Sequence, residues 1–260
     1  MGANIGTTIT AFIIGIDIGE YALPILALGS FLIFFFKSKR IHYVGQVLFG
    51  FGGLFFGLEL MSNGMAPLRE VDFFLDMMVS LSENRLLGVL AGTVFTLVVQ
   101  SSSATVGILQ GLYADGLVDL KTALPVLFGD NIGTTITAIL ASIGASVVAK
   151  RAALSHVLFN VIGTIIFMLI FPVFYGFMDF LKDFLSLNEK MTIAFAHGVF
   201  NITNTLIQLP FIGVLAFLVT KLIPGEDSFI DYKGKQLDPM FIEKSPSIAL
   251  GAAKEEVVRM

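Results

Sequence analysis

Gln100-Ser101-Ser102-Ser103-Ala104-Thr105 lies in the middle of an apolar segment, 86–112, and its reading decides the fold. If the segment crosses a bilayer once, Gln100 to Ser103 place four consecutive polar side chains at mid-depth, where polar groups are expensive unless they find partners or bind something. If the chain turns at the serines, two legs of about 13 residues, each rising about 1.5 Å per residue, reach partway across and come back. The serines then sit at the tip of a re-entrant hairpin.

The rest of the chain is apolar enough to make this a membrane question. Of 260 residues, 55% are hydrophobic and 14% charged, with 26 Phe and a mean hydropathy of +0.87. Soluble domains carry about 25% charged residues. Stretches 21–36, 44–62, 152–177 and 191–222 are of membrane length against the roughly 20 residues of a spanning helix. The expected class is an all-α, polytopic membrane protein. The net charge of −4 falls mostly in loops and the tail, with no basic face for nucleic acid. Without Cys, and with only His42, His156 and His197, disulfides, thiolate metal sites and cysteine nucleophiles are excluded. The N-terminus has no basic stretch ahead of an apolar core and does not read as a signal peptide.

Loop charge chooses between span and hairpin through the positive-inside rule. Lys37, Lys39 and Arg40, then Lys150 and Arg151, then Lys221 are placed on the inside, leaving loop 63–85 with Glu70, Asp72, Asp76 and Glu83 outside. A single crossing by 86–112 would carry Lys150 and Arg151 outside; a hairpin returns them inside. Charge parity favours the hairpin.

An internal repeat gives the hairpin a counterpart. Gly129-Asp130-Asn131-Ile132-Gly133-Thr134-Thr135 is nearly repeated at Gly2-Ala3-Asn4-Ile5-Gly6-Thr7-Thr8. By the same parity the second copy, within about 120–148, runs inward, whereas the first runs outward and ends near Asp17 and Glu20. Two copies in opposite orientations predict inverted-topology repeats with discontinuous helices meeting near the midplane, the architecture of secondary transporters. The first copy has no QSSS segment ahead of it, which reads as a truncated or late start.

A second echo pairs His156-Val157-Leu158-Phe159-Asn160 with His197-Gly198-Val199-Phe200-Asn201, each expected near the start of a late helix. His156, Asn160, His197 and Asn201 are helix-contact residues or part of an ion path. Gly53 and Gly57 form a GxxxG, expected to pack inside the bundle rather than at a dimer face. Glu59 reads as a snorkelling surface group rather than a site. After residue 222 the composition turns soluble: 223–260 is expected to be a cytoplasmic linker followed by an amphipathic helix starting around Ser245 to Ser247.

The chemistry offered is that of a binding site. The hairpin tip presents hydroxyls, an amide and the free N–H groups of a helix start, whose partial positive charge attracts an oxyanion without a buried Lys or Arg. Gly133 lets the chain break and Thr134-Thr135 open a new helix; released carbonyls with Ser, Thr and Asn oxygens suit a hard monovalent cation such as Na⁺. An anion and cations together reduce the cost of placing each in low dielectric. Any single hydroxyl here is also what a back-bonded helix residue looks like, so the specificity lies in the constellation. No acid/base pair, activated nucleophile or metal-ligand set argues for an enzyme.

At these residues the chain resembles the type II Na⁺/phosphate cotransporter family, bacterial branch included, which carries a QSSSA-type segment followed by G-x-N-I-G-T-T in each of two inverted repeats. The likeness runs from Gly2 to about Lys221. It implies a membrane domain over 1–222 with an incomplete first repeat and a second repeat over about 86–222, performing sodium-coupled symport of inorganic phosphate across the plasma membrane by alternating access. Substrate and sodium are implied at Gln100, Ser101, Ser102, Ser103 and Thr105, with Asn131, Thr134 and Thr135, and by the repeat at Asn4, Thr7 and Thr8. Na⁺ is the coupling ion and no other cofactor or metal is expected. The tail resembles the opening of a PhoU-like domain, implying a cytoplasmic phosphate-signalling partner, and a homodimer stays open. Symport of another small oxyanion or carboxylate, and a membrane-bound phosphate sensor or scaffold, are the alternatives.

Overall fold

Helix starts fall where short polar side chains can hold the first free N–H groups. Asn84 accepts from Leu86 N (3.0 Å), Ser101 from Ala104 N (3.3 Å), Asp119 from Thr122 N (2.8 Å), Ser146 from Ala149 N (3.2 Å) and Asn188 from Met191 N (2.7 Å). The computed structural model describes residues 1–16, 21–65, 67, 71–72, 77, 80–81, 83–225 and 245–259. Asp17, Glu20, Glu70, Asp76 and the linker 226–244 lie outside the described residues.

In order, the helices are α1 (Gly2–Gly15), α2 (Ala22–Phe35), α3 (Lys39–Met65), α4 (Arg85–Val99), α5 (Ser102–Ala114), α6 (Leu120–Gly133), α7 (Thr135–Ser142), α8 (Val147–Leu169), α9 (Phe171–Phe184), α10 (Glu189–Gln208), the 3-10 turn Leu209–Phe211 and α11 (Ile212–Leu222). They form one unit, Met1–Pro224. The second unit, Gly225–Met260, holds α12 (Pro246–Arg259), at the expected position. Among the described residues, Lys39–Met61, Leu120–Ser142, Val147–Leu169 and Glu189–Leu222 are long and apolar enough to cross a bilayer. The chain is an all-helical integral membrane protein, and its outer surface carries the side chains lipid accepts, such as Phe34, Leu169 and Val173.

The hairpin is present. Gln100 takes a left-handed φ of 55° after α4 and Ser101 caps α5, so two residues reverse the chain. The legs of 15 and 13 residues rise about 22 and 20 Å, short of a 30 Å hydrocarbon core.

Several boundaries differ from expectation, mostly at proline. The stretch 152–177 divides at Ile170, because Pro172 lacks the N–H that would continue α8; 191–222 divides at the turn holding Pro210. α2 has 14 helical residues, about 21 Å, shorter than a hydrocarbon core of about 30 Å. The discontinuity after the second NIGTT string is slight: Thr134 keeps helical angles (φ −59°, ψ −25°) and its N–H still reaches Asp130 O at 3.0 Å. No freed helix start opens there. His156 and His197 fall in the middle of α8 and α10 rather than near their starts.

Glycine sets the closest packing. A Cβ on Gly92 would meet Val126 O and one on Gly129 would meet Val89 O, while Gly88 faces Pro125 and Gly133 faces Thr96; α4 and α6 therefore run parallel in backbone contact. The α2–α3 pair is antiparallel through Gly29, Gly45 and Gly52. Gly53 and Gly57 do not pack in the bundle as expected: a Cβ on either meets nothing within 4 Å. Spacing made the GxxxG, but neighbouring Gly45 and Gly52 turn a different face of α3 toward α2.

α1 packs antiparallel to α10, Asn4 meeting Asn201 and Gly15 meeting Ala194, and parallel to α5, Thr10 meeting Ser103 and Ile14 meeting Gly107. α5 in turn is antiparallel to α6, so α1 and α6 have opposite directions. Behind them Phe128, Phe167, Phe174 and Phe200 form one aromatic cluster, ring centroids 4.6 to 5.8 Å apart, tying α6, α8, α9 and α10. Arg151 Nε donates to Ile223 O at 3.0 Å, bringing the Lys150–Arg151 and Lys221 clusters to one end of the unit.

Candidate functional site

A cavity of about 270 Å³ opens where the hairpin tip meets both NIGTT copies. Gln100, Ser101, Ser102 and Ser103 line it from the tip; Ala3, Asn4 and Thr7 from α1; Asn131, Thr134 and Thr137 from α6 and α7; His156 and His197 from α8 and α10. Among the described residues, no Lys, Arg, Asp or Glu lines it. Thr8, Thr105, Thr135, Asn160 and Asn201 stand behind this wall rather than in it. Thr105 Oγ1 donates to Ser101 O (3.1 Å), the hydroxyl of Thr8 to Ile5 O within α1, and that of Thr135 to Ile132 O at the end of α6.

Hydrogen-bond accounting sorts the lining groups by charge preference. In both copies each threonine spends its one hydrogen on the carbonyl three residues back: Thr7 on Asn4 O and Thr134 on Asn131 O, Thr8 on Ile5 O and Thr135 on Ile132 O, Thr10 on Thr7 O and Thr137 on Thr134 O, at 2.6 to 3.0 Å. Their oxygens are left as acceptors, which suits a cation. At the hairpin tip Ser101 Oγ already accepts from Ala104 N, so its hydrogen is available to an anion. The N–H groups opening the 13-residue helix α5 add to it.

The two asparagines have different duties. Asn4, 4% exposed, donates through Nδ2 to Asn160 Oδ1 (2.6 Å) and Asn201 Oδ1 (3.3 Å), while its Oδ1 stands 3.2 Å from His156 Nε2, which places the imidazole hydrogen there. Asn160 and Asn201 are held by donating to His156 O (3.0 Å) and His197 O (3.1 Å). Asn4 is a clasp between α1, α8 and α10. Asn131 instead donates to Leu127 O in its own helix at 3.0 Å, leaving Oδ1 as an acceptor.

The two histidines diverge in the same way. His156 is half-buried and bonded to Asn4; His197 is 2% exposed, lines the cavity, and has no partner among the described residues for either ring nitrogen. A buried imidazole in that condition is a donor waiting for an acceptor.

Sequence reasoning passed over Asp130 and Thr96. Asp130 is 1% exposed, with Oδ1 accepting from Thr96 Oγ1 at 2.8 Å and Oδ2 without a partner among the described residues. A carboxylate inside an apolar segment is itself a signal; its place within the second NIGTT string hid it. Thr96 has no sequence signal, since it reaches Asp130 only through the glycine contact of α4 with α6.

The family model described as Na+/Pi-cotransporter matches residues 1–63 and 71–182. Protein YqeW of Bacillus subtilis is 30% identical over 87% of this chain and 72% of its own length. Salmonella typhimurium YjbB, named "Putative inorganic phosphate export protein", is 28% identical over the whole chain and 47% of its own length. The human "Sodium-dependent phosphate transport protein 2B" is 39% identical over 36% of this chain and 14% of its own length. The chain thus spans about half the length of the relative named for phosphate export. No solved structure matches it.

Proposed function

The chain belongs to the Na⁺/Pi-cotransporter family, a family of transporters rather than enzymes, and on that premise we propose that it carries inorganic phosphate across the plasma membrane by sodium-coupled symport. The observation that supports this most is the cavity: its wall joins the hairpin tip to both repeat copies and, among the described residues, bears no formal charge from Lys, Arg, Asp or Glu. Phosphate is held by the hydroxyls of Ser101 and Ser102, the Gln100 amide, the first N–H groups of α5 and the His197 ring. Na⁺ is held opposite by oxygens without spare hydrogens, those of Asn131, Thr134 and Thr7. Each ion lowers the cost of the other, so neither enters well alone. Thr105, Thr135, Thr8, Asn160 and Asn201 position these groups from behind.

The opposed directions of α1 and α6 support a reading of the two copies as inverted-topology repeats, around which the unit alternates between inward and outward access. The tail beyond Pro224 is read as cytoplasmic and as the opening of a PhoU-like domain.

Radiolabelled phosphate flux in proteoliposomes containing the chain, measured in both directions under an imposed sodium gradient, tests this. The expected result is sodium-driven flux, lost in Ser102→Ala while membrane insertion is kept. Absence of any sodium-dependent flux would sink the transport reading. Competition by sulfate, arsenate and dicarboxylates separates phosphate from the other anions the donor set could accept.

A further inference from the structure

Behind the cavity wall lies a second polar centre, whose Asp130, Thr96 and Thr105 do not line the cavity. Asp130 belongs to the span Leu120–Ser142, is 1% exposed, and has no Lys, Arg or His paired with it among the described residues. Thr96 Oγ1 stands 2.8 Å from Asp130 Oδ1 and 3.2 Å from Thr105 Oγ1. Thr105 has spent its hydrogen on Ser101 O at 3.1 Å. The two carboxylate oxygens, Thr96 Oγ1 and Thr105 Oγ1 therefore share a single hydroxyl hydrogen, that of Thr96. The cluster is rich in lone pairs and poor in hydrogens, and when Asp130 is ionised its negative charge has no counter-charge at a depth where charges are neutralised or paired.

We propose that Asp130, Thr96 and Thr105 form a Na⁺ site of their own, enclosed between α4, α5 and α6 and separate from the cavity. One carboxylate balances one positive charge, and the remaining ligands are neutral oxygens of the kind hard cations take; a divalent ion would call for more carboxylates than the one present. The site touches the anion site through Thr105, whose hydroxyl holds the carbonyl of Ser101, the residue that caps α5. A cation seated at Asp130 draws Thr105 and Thr96 toward it and so steadies the tip that receives the anion. This deepens the sodium-coupled reading and rests on it for the coupling, whereas the binding of sodium itself is testable without phosphate.

The test is equilibrium binding of radioactive sodium to the purified full chain in detergent, without phosphate, at neutral pH. Asp130→Asn, close to isosteric, is expected to weaken sodium binding by at least about tenfold. Thr96→Val is expected to follow it and Thr96→Ser to stay near wild type, each variant being checked for a monodisperse elution profile. Should Asp130→Asn fail to fold, the Thr96→Val and Thr96→Ser pair carries the decision. Wild-type sodium affinity in folded Asp130→Asn or in Thr96→Val overturns the proposal, as does proton release from Asp130 without sodium uptake. Sodium binding that depends on Asp130 in a chain that binds no phosphate would uphold this site while removing the phosphate reading.

Discussion

Gly2-Ala3-Asn4-Ile5-Gly6-Thr7-Thr8 and Gly129-Asp130-Asn131-Ile132-Gly133-Thr134-Thr135 differ at one residue, Ala3 against Asp130. Their threonine hydrogen bonds are the same, residue for residue. Their surroundings are not. In the first copy a Cβ on Gly2 or Gly6 meets nothing within 4 Å, and Asn4 is consumed in clasping two helices. In the second, Gly129 and Gly133 are pressed onto α4, Asn131 keeps a free oxygen, and a buried carboxylate stands next to it. A repeated string thus dictates its local hydrogen bonding, while its neighbours decide whether it acts as a fastening or as a ligand set.

The largest effect should come from the glycines. Gly129→Ala drives a Cβ into the Val89 carbonyl, which cannot give way without moving α4, and is expected to cost at least about 1–3 kcal/mol. Gly6→Ala has open space and gains helix propensity, a change of up to about 1 kcal/mol toward greater stability. Thermal unfolding in detergent measures both, and equal losses would erase the contrast between the copies.

Next in size are the histidines. His197→Leu is expected to weaken phosphate binding about tenfold, some 1.4 kcal/mol, with little change in unfolding temperature, because an apolar side chain of similar volume refills the buried space and the ring nitrogens have no hydrogen-bond partner among the described residues to lose. His156→Ala should do the reverse, costing about 1 kcal/mol of stability through Asn4 and less in affinity. Binding isotherms and melting curves on the same preparations decide; loss of stability in both would make His197 another clasp. The smallest shift is expected at Thr134→Val against Thr7→Val. Removing an acceptor should raise the half-saturating sodium concentration a few-fold in Thr134→Val, where Asn131 Oδ1 stands beside it, and less in Thr7→Val. An equal shift in the two would show that both copies ligate.

Much of this was legible in the sequence because it is local. The turn at Gln100–Ser101 followed from polar residues stranded at mid-depth and from charge parity, and the helix starts at Asn84, Asp119 and Asn188 carry their own caps. Pro172 and Pro210 stand just past the helix ends at Leu169 and Gln208, a local mark that reading 152–177 and 191–222 as unbroken apolar runs did not use. What could not be read is which face of a helix is covered. Gly53 and Gly57 have the spacing of a packing motif and face open space, while Gly88 and Gly92 do the packing. The same gap hid the partnership of Thr96 with Asp130, which exists only once α4 lies against α6.

Equilibrium binding of radiolabelled phosphate to the purified chain, with sodium present or replaced by potassium, tests the central claim most directly and is indifferent to the direction of flux. The account predicts saturable binding that requires sodium and is weakened at least about tenfold in Ser102→Ala and Gln100→Ala. Binding of equal strength in potassium, or unchanged in both variants, would contradict it.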